Sequence, residues 1–355
     1  MRWRASGGSA CGCRAPCCRP FPASARSRPG YATEAGVTTM APNHHAGAFC
    51  PIVLACDEAY LMPLATTLRS VVESNAAHWP IECHVLVDDV SLPGRARVER
   101  SLPARAAQIR WHAVDLTDFS SFETQAAISK MTFARLLMAD LLPAELERVL
   151  YLDTDILVLG DLLPLMRTEL DGAILGAVRD GLDAELKSTS PAPTGMPDVC
   201  DYFNAGVLLI DLARWRAGRV SAAARDHLVA HPQTPFADQD ALNVACDGHW
   251  KPLAAHWNFQ GHRSTDIAAL APSQRPGIVH FITALKPWKA DSLSLNARLY
   301  DGWRSRTLFA RHPVMRWTDA IRALVSRMNR ALSAHESTRR LKHQLRQTFS
   351  TRQAR

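Results

Sequence analysis

The chain has no apolar run near the roughly 18 residues that a membrane-crossing helix needs, so no transmembrane segment is predicted. Its first residues lack the apolar stretch of a secretory signal, and none is read there. Cysteine is sparse beyond residues 11–18. Cys50, Cys56, Cys83, Cys200 and Cys246 are scattered, and Cys56 and Cys83 fall in apparent core strands. That pattern predicts reduced, buried thiols and a cytoplasmic chain rather than a disulfide framework. Cys11, Cys13, Cys17 and Cys18 have no second ligand pair at a suitable distance, so no zinc site is expected there. No glycine-rich phosphate loop follows the first apolar run, where "ACDEAY" stands instead.

Acidic residues are scarce at both ends. Residues 1–40 carry six arginines against Glu34, and residues 311–355 carry eleven lysines and arginines against Asp319 and Glu336. The whole chain is +7, so the middle, 41–310, is net acidic. This excludes a basic nucleic-acid groove within the folded part, and no nucleic-acid partner is expected. Residues 1–48 are rich in Arg, Ser, Pro, Gly and Ala without periodicity, and they bury too little to fold. They read as a disordered extension, as an acid-poor transit peptide, or as residues upstream of a true start at Met40.

The whole chain is 47% hydrophobic, ample for a core. "PIVLAC" (51–56), "IECHVLV" (81–87), "IRWHAVDL" (109–116) and "RVLYLD" (148–153) read as strands. Helical spacing separates them at 59–75, 95–102 and 132–142. Strands alternating with helices predict βαβ units and a parallel sheet, with ligands beyond the strands' carboxyl ends. Further strands are expected at 172–178, 205–212 and 276–282, and a helix at 238–246 whose first residue, Asp238, suits the macrodipole. The Pro- and Gly-containing stretch 183–200 reads as a long loop over a site. From 311, Trp317, Ile321, Leu324, Val325, Met328 and Leu332 share one helical face while arginines occupy the rest. Such a basic amphipathic helix fits an anionic membrane surface, or docks on its own domain.

"VLYLDTDILVLGDL" (149–162) poses the sharpest problem. Asp153 and Asp155 interrupt an apolar run, and unpaired buried carboxylates cost several kcal/mol. At a strand's carboxyl end they can share a hard divalent cation such as Mg²⁺ or Mn²⁺. A pair of turn or capping aspartates is the alternative reading of these two residues alone.

That stretch is followed by "YFNAGVLLIDLARWR" (202–216), "DQDALN" (238–243) and "HFITALKPW" (280–288). In this order and spacing, residues 51–290 closely resemble glycosyltransferase family 8, above all its bacterial lipopolysaccharide hexosyltransferases. The resemblance implies an α/β GT-A fold: one Rossmann-like nucleotide-binding domain with a mixed central sheet over 49–305, followed by a basic helical tail over 306–355. It implies a retaining transfer of glucose or galactose from UDP-glucose or UDP-galactose to a glycan or lipid-linked saccharide, at the inner face of the membrane. Mn²⁺ or Mg²⁺ would be held by Asp153, Asp155 and His280, and Lys286 would meet the diphosphate. Ala55 and Asp57 would contact uracil or ribose, and Tyr60 would stack on the base. Arg135 and Thr154 would lie near the diphosphate and sugar, and Asp153 would add a ribose contact. Asp180 and Asn204 would face the donor sugar, with Asp238 and Gln239 at the catalytic position.

Two positions depart from the family pattern. Ala59 replaces a common Asn, and Thr283 stands where a Gly often approaches the phosphates. Retention requires a double displacement or attack from the leaving-group face. Gln239, a neutral amide, is a poor nucleophile, which favours front-face attack with the departing phosphate taking the acceptor's proton. A sugar-nucleotide pyrophosphorylase and a non-catalytic glycan-binding relative are the competing readings.

Overall fold

Continuous apolar runs become the inner strands of one large sheet. The computed structural model describes residues 49–120, 122, 129–181, 195–262, 264–282, 286–289, 292 and 294–312. The N-terminal extension, Thr283, most of the 183–200 loop and the tail from 313 lie outside the described residues.

Strands β1 (Ile52–Asp57), β2 (Ile81–Asp88), β3 (Ala107–Ala113), β4 (Arg148–Leu152), β6 (Leu175–Arg179), β7 (Phe203–Asp211) and β8 (Trp250–Pro252) form a seven-stranded sheet, ordered β3-β2-β1-β4-β7-β6-β8. The first four are mutually parallel, as βαβ reasoning predicts. β7 runs antiparallel between β4 and β6, which makes the sheet mixed. Ile52, Leu54, Leu150 and Leu209 pack into one apolar cluster, and Val53, Val149, Tyr151 and Leu208 into another. A sheet covered on both faces explains why these strands are apolar without alternation.

The helices are α1 (Leu61–Ser74), α2 (Leu92–Glu99), α3 (Ala134–Leu141), α4 (Leu163–Met166), α5 (Leu212–Ala217), α6 (Val220–Ala230), α7 (Asp238–Ala245) and α8 (Ala297–Arg304). α2 starts three residues before the expected 95. Ser91 Oγ accepts the Gly94 N–H at 3.1 Å and Pro93 occupies the first turn, so a cap and a proline signal mark its start. β3 ends at Ala113, short of the expected 116, because Asp115 turns the chain by accepting the Thr117 N–H at 2.9 Å. The strand expected at 172–178 begins only at Leu175, after a turn with positive φ at Asp171 and Gly172.

The stretch 149–162 resolves into two strands. β4 ends at Leu152, and β5 (Ile156–Val158) leaves the main sheet to pair antiparallel with β9 (Ile278–His280). The strand expected at 276–282 is therefore only three residues long. Asp153 and Asp155 occupy the turn between two sheets, not a strand interior.

Cys56, Cys83 and Cys246 are buried and unbridged as expected, whereas Cys200 is exposed. Among the described residues, no helix is long and apolar enough to cross a membrane. Residues 306–311 pack back on the domain: Arg97 donates to the Leu308 carbonyl at 2.8 Å and Arg311 pairs with Asp301 at 3.1 Å.

Candidate active site

Sheet order reverses between β1 and β4: β2 and β3 lie on one side, β7 and β6 on the other. Ligands of open α/β sheets bind in the crevice beyond such a switch point. A cleft of about 400 Å³ opens there. Every site residue expected from the sequence lines it: Ala55 and Asp57 at the end of β1 and Tyr60 just after it; Arg135 on α3; Asp153, Thr154 and Asp155 after β4; Asp180 after β6; Asn204 on β7; Asp238 and Gln239 at the start of α7; His280 on β9; and Lys286 beyond it.

At one end the charged groups converge. α1 fixes the aspartate turn, because the buried Thr67 hydroxyl shares its one proton between the carbonyls of Thr154 at 2.8 Å and Ile156 at 2.9 Å. The Asp153 N–H is tied to the Gly206 carbonyl at 2.8 Å. Pairing of Ile156 with His280 brings the histidine to the same point. His280 Nε2 lies 3.2 Å from Asp155 Oδ1 and 3.8 Å from Asp153 Oδ2. Gly206 permits this approach: a Cβ there would stand 2.2 Å from His280 Cε1 and 2.9 Å from Asp153 Oδ2.

Lys286 Nζ is paired with Asp155 Oδ2 and donates to the Phe281 carbonyl at 2.8 Å. Burial works against an ionised Asp155, but the Lys286 ammonium beside it more than offsets this and holds the carboxyl far below its ordinary range.

The fit to a cation can be judged from these atoms. Ligand atoms of Asp153, Asp155 and His280 all lie within 4.8 Å of one another. Asp155 Oδ1 is buried and has no hydrogen-bond partner among the described residues. Two carboxylates and an imidazole suit Mn²⁺ or Mg²⁺ as a donor set. The residues present therefore fit a divalent ion.

Arg135 links the two ends. It is 6% exposed, reaches Asp153 at 3.2 Å and Asp238 at 2.6 Å, and lies 4.9 Å above the Tyr151 ring. Burial opposes its charge, yet Asp153 and Asp238 keep the guanidinium firmly protonated. Asp238 is pushed up to about 6 by burial, against the pull of Arg135 and the Thr132 hydroxyl. Ala237, just before it, has φ 49° and ψ −118°, a strained conformation for a residue with a Cβ.

The other end is built of amides. Asp180 Oδ2 accepts from Asn204 Nδ2 and from Gln239 Nε2, each at 3.0 Å. Gln239 Oε1 accepts the Ala205 N–H at 3.0 Å. Asp57 accepts the Tyr60 N–H at 3.1 Å and the Ser129 hydroxyl at 2.8 Å, while Tyr60 stands edge-on to Trp288.

Sequence reasoning missed Thr67, Gly206, Asn258, Thr132 and Ser129. Gly206 carried a signal, since an isolated glycine inside an apolar strand marks close approach. Buried Asn258, which contacts His280 Nδ1 at 3.0 Å, sits in "AHWNF" and carried none.

A parallel half-sheet with carboxylates at its carboxyl end and an antiparallel strand inserted beside them makes a mixed α/β domain with a candidate cation site at its switch point. The family model "Glycosyl transferase family 8" matches residues 51–292, and the chain belongs to that family. It is 31% identical to glycosyltransferase GlyF of Streptococcus pneumoniae over 71% of this chain, and it spans only 60% of that relative's length. It is 27% identical to the lipopolysaccharide 1,3-galactosyltransferase of Salmonella typhimurium over 67% of this chain and 72% of that protein. The solved galactosyltransferase LgtC, in complex with donor and acceptor sugar analogs, superposes with a TM-score of 0.64. It shares 29% identity and covers 76% of this chain and 99% of that structure. The fold is thus GT-A, α/β with a mixed central sheet. The chain is thus a member of a glycosyltransferase family, and the pyrophosphorylase reading is set aside.

Proposed function

We propose that this chain is a retaining, metal-dependent hexosyltransferase that moves glucose or galactose from a UDP-sugar to a glycan or lipopolysaccharide-type acceptor. The observation that carries the reading is the convergence of Asp153, Asp155 and His280 around a buried oxygen with no hydrogen-bond partner among the described residues, beside Lys286. These three side chains would hold Mn²⁺ or Mg²⁺, which when bound supplies Lewis-acid stabilisation to the charge on the departing diphosphate. Lys286 adds a positioned cation for the same charge. Ala55, Asp57 and Tyr60 hold the nucleoside, and Thr154 and Arg135 stand near the diphosphate. Asp180 and Asn204 meet sugar hydroxyls.

Retention by front-face attack is supported by the engagement of the two candidate nucleophiles. Both heteroatoms of the Gln239 amide are hydrogen-bonded, and Asp238 is held by Arg135 and Thr132. The departing phosphate then takes the acceptor's proton. The basic residues of 311–355 would seat the enzyme on an anionic inner membrane face, where a lipid-linked saccharide waits. Deleting 313–355 should then abolish sedimentation with anionic vesicles, and an unchanged distribution would argue against this surface.

The function is tested by UDP release from UDP-glucose and UDP-galactose, with Mn²⁺ and with chelator. Release should need the metal and fall by about 10²–10³-fold in Asp153→Ala/Asp155→Ala. Equal release with chelator, or none with either donor under any condition, would contradict the reading. The second result is what a non-catalytic relative gives.

A further inference from the structure

A one-way chain of hydrogen bonds runs from the metal end of the cleft to the sugar end, and it passes through a residue outside both motifs. The polarity of each link follows from fixed donors. The Gly206 backbone N–H points at Asn204 Oδ1 at 3.1 Å, so that atom is the carbonyl oxygen. Asn204 Nδ2 therefore donates to Asp180 Oδ2. The Asn258 atom 2.8 Å from Asn204 Oδ1 must then be its NH₂. That leaves the Asn258 oxygen facing His280 Nδ1 at 3.0 Å, so Nδ1 carries the proton. His280 Nε2 is then the nitrogen aimed between Asp153 and Asp155, and in the neutral ring it is the one with the lone pair. A metal-bound imidazole needs this tautomer, fixed by a bond to its other nitrogen.

We infer that Asn258 is the positioning residue of the site: its oxygen sets the His280 tautomer for the cation, and its NH₂ orients Asn204 for the donor sugar. Asn258 is 1% exposed, and both of its polar ends are used. It couples the two halves from behind the residues that line the cleft. The inference rests on the metal reading above.

Two substitutions separate its functions. Asn258→Leu removes both contacts. Asn258→Asp, the isostere, keeps an acceptor for Nδ1–H but has nothing to donate to Asn204. Mn²⁺ alone is titrated into the full chain by calorimetry, with Asp153→Ala/Asp155→Ala as control. Thermal melting and circular dichroism confirm folding. Asn258→Leu should weaken Mn²⁺ by about 10–100-fold, while Asn258→Asp binds it at least as well as wild type. With Mn²⁺ saturating, the affinity of UDP-glucose or UDP-galactose relative to UDP should fall in Asn258→Asp.

If the control variant binds Mn²⁺ like wild type, the metal reading itself fails. If the control loses Mn²⁺ while Asn258→Leu keeps wild-type affinity, Asn258 has no positioning role. Should Asn258→Leu not fold, Asn258→Asp decides alone. Retained Mn²⁺ with a weakened sugar contribution supports the inference. Lost Mn²⁺ or an unchanged sugar contribution overturns it.

Discussion

The two ends of the cleft are built from different materials. The metal end gathers Asp153, Asp155, His280 and Lys286 from a turn and a strand that belong partly to a second, two-stranded sheet. The sugar end gathers Asp180, Asn204 and Gln239 from the inner strands β6 and β7 of the main sheet and the start of α7, and joins them by neutral donors on one carboxylate. At the metal end the backbone must hold like charges together, so glycine and threonine fix the turn at close range. At the sugar end the side chains fix one another. Loss of a partner at the first leaves an uncompensated buried charge, a cost of about 3–5 kcal/mol. At the second it leaves an unmet hydrogen bond, about 1–3 kcal/mol.

This contrast can be broken in order of size. Gly206→Ala drives a methyl into His280 and Asp153, so Mn²⁺ affinity measured by calorimetry should drop about 100-fold. Wild-type affinity in that variant would mean the metal end is not spatially constrained there. Asp180→Ala strikes only the sugar end. Donor turnover should fall about 10–100-fold with Mn²⁺ affinity unchanged, because the loss is one to two hydrogen bonds. A parallel loss of Mn²⁺ affinity would merge the two ends.

A smaller effect lies beneath the metal end. His262 is buried against Phe281 and donates to the Ile282 carbonyl at 3.2 Å, and burial pushes it down to about 4. The unfolded chain binds that proton near pH 6.5, so stability is full above pH 6.5 and declines as pH falls to 4. Denaturant melts should show wild type losing about 1–3 kcal/mol more than His262→Gln across that window. Equal slopes would count against a buried neutral imidazole. Least of all, Ala237→Gly should relieve strained backbone before Asp238. The melting temperature should rise by about 2 °C, since relief of strain slightly exceeds the entropic cost of glycine. A fall would place the strain elsewhere.

The same contrast governs what could be read in advance. The parallel half-sheet was legible because β1 and β4 carry unbroken apolar runs, β2 carries one at Val85–Val87, and the intervening helices keep their period. The metal end was legible because carboxylates inside an apolar run demand an explanation, and the likeness to family 8 extended it to His280 and Lys286. The departure of β5 from the main sheet was not legible. Ile156–Val158 are as apolar as any core strand, and only their partner, 120 residues onward, separates them from β4. The boundary of α2 was open to a cap rule that periodicity overrode. Asn258 was illegible for a different reason. Its importance lies in bonds to residues 204 and 280, and nothing in its own neighbours announces them.

The central claim is that Asp153, Asp155 and His280 hold a divalent ion against the diphosphate of a UDP-sugar. Crystals grown with Mn²⁺ and UDP, measured at the manganese absorption edge, test it most directly. The account predicts one anomalous peak bounded by these three side chains and touching UDP phosphate oxygens. A peak elsewhere, or UDP bound in the cleft with no peak there, would contradict it.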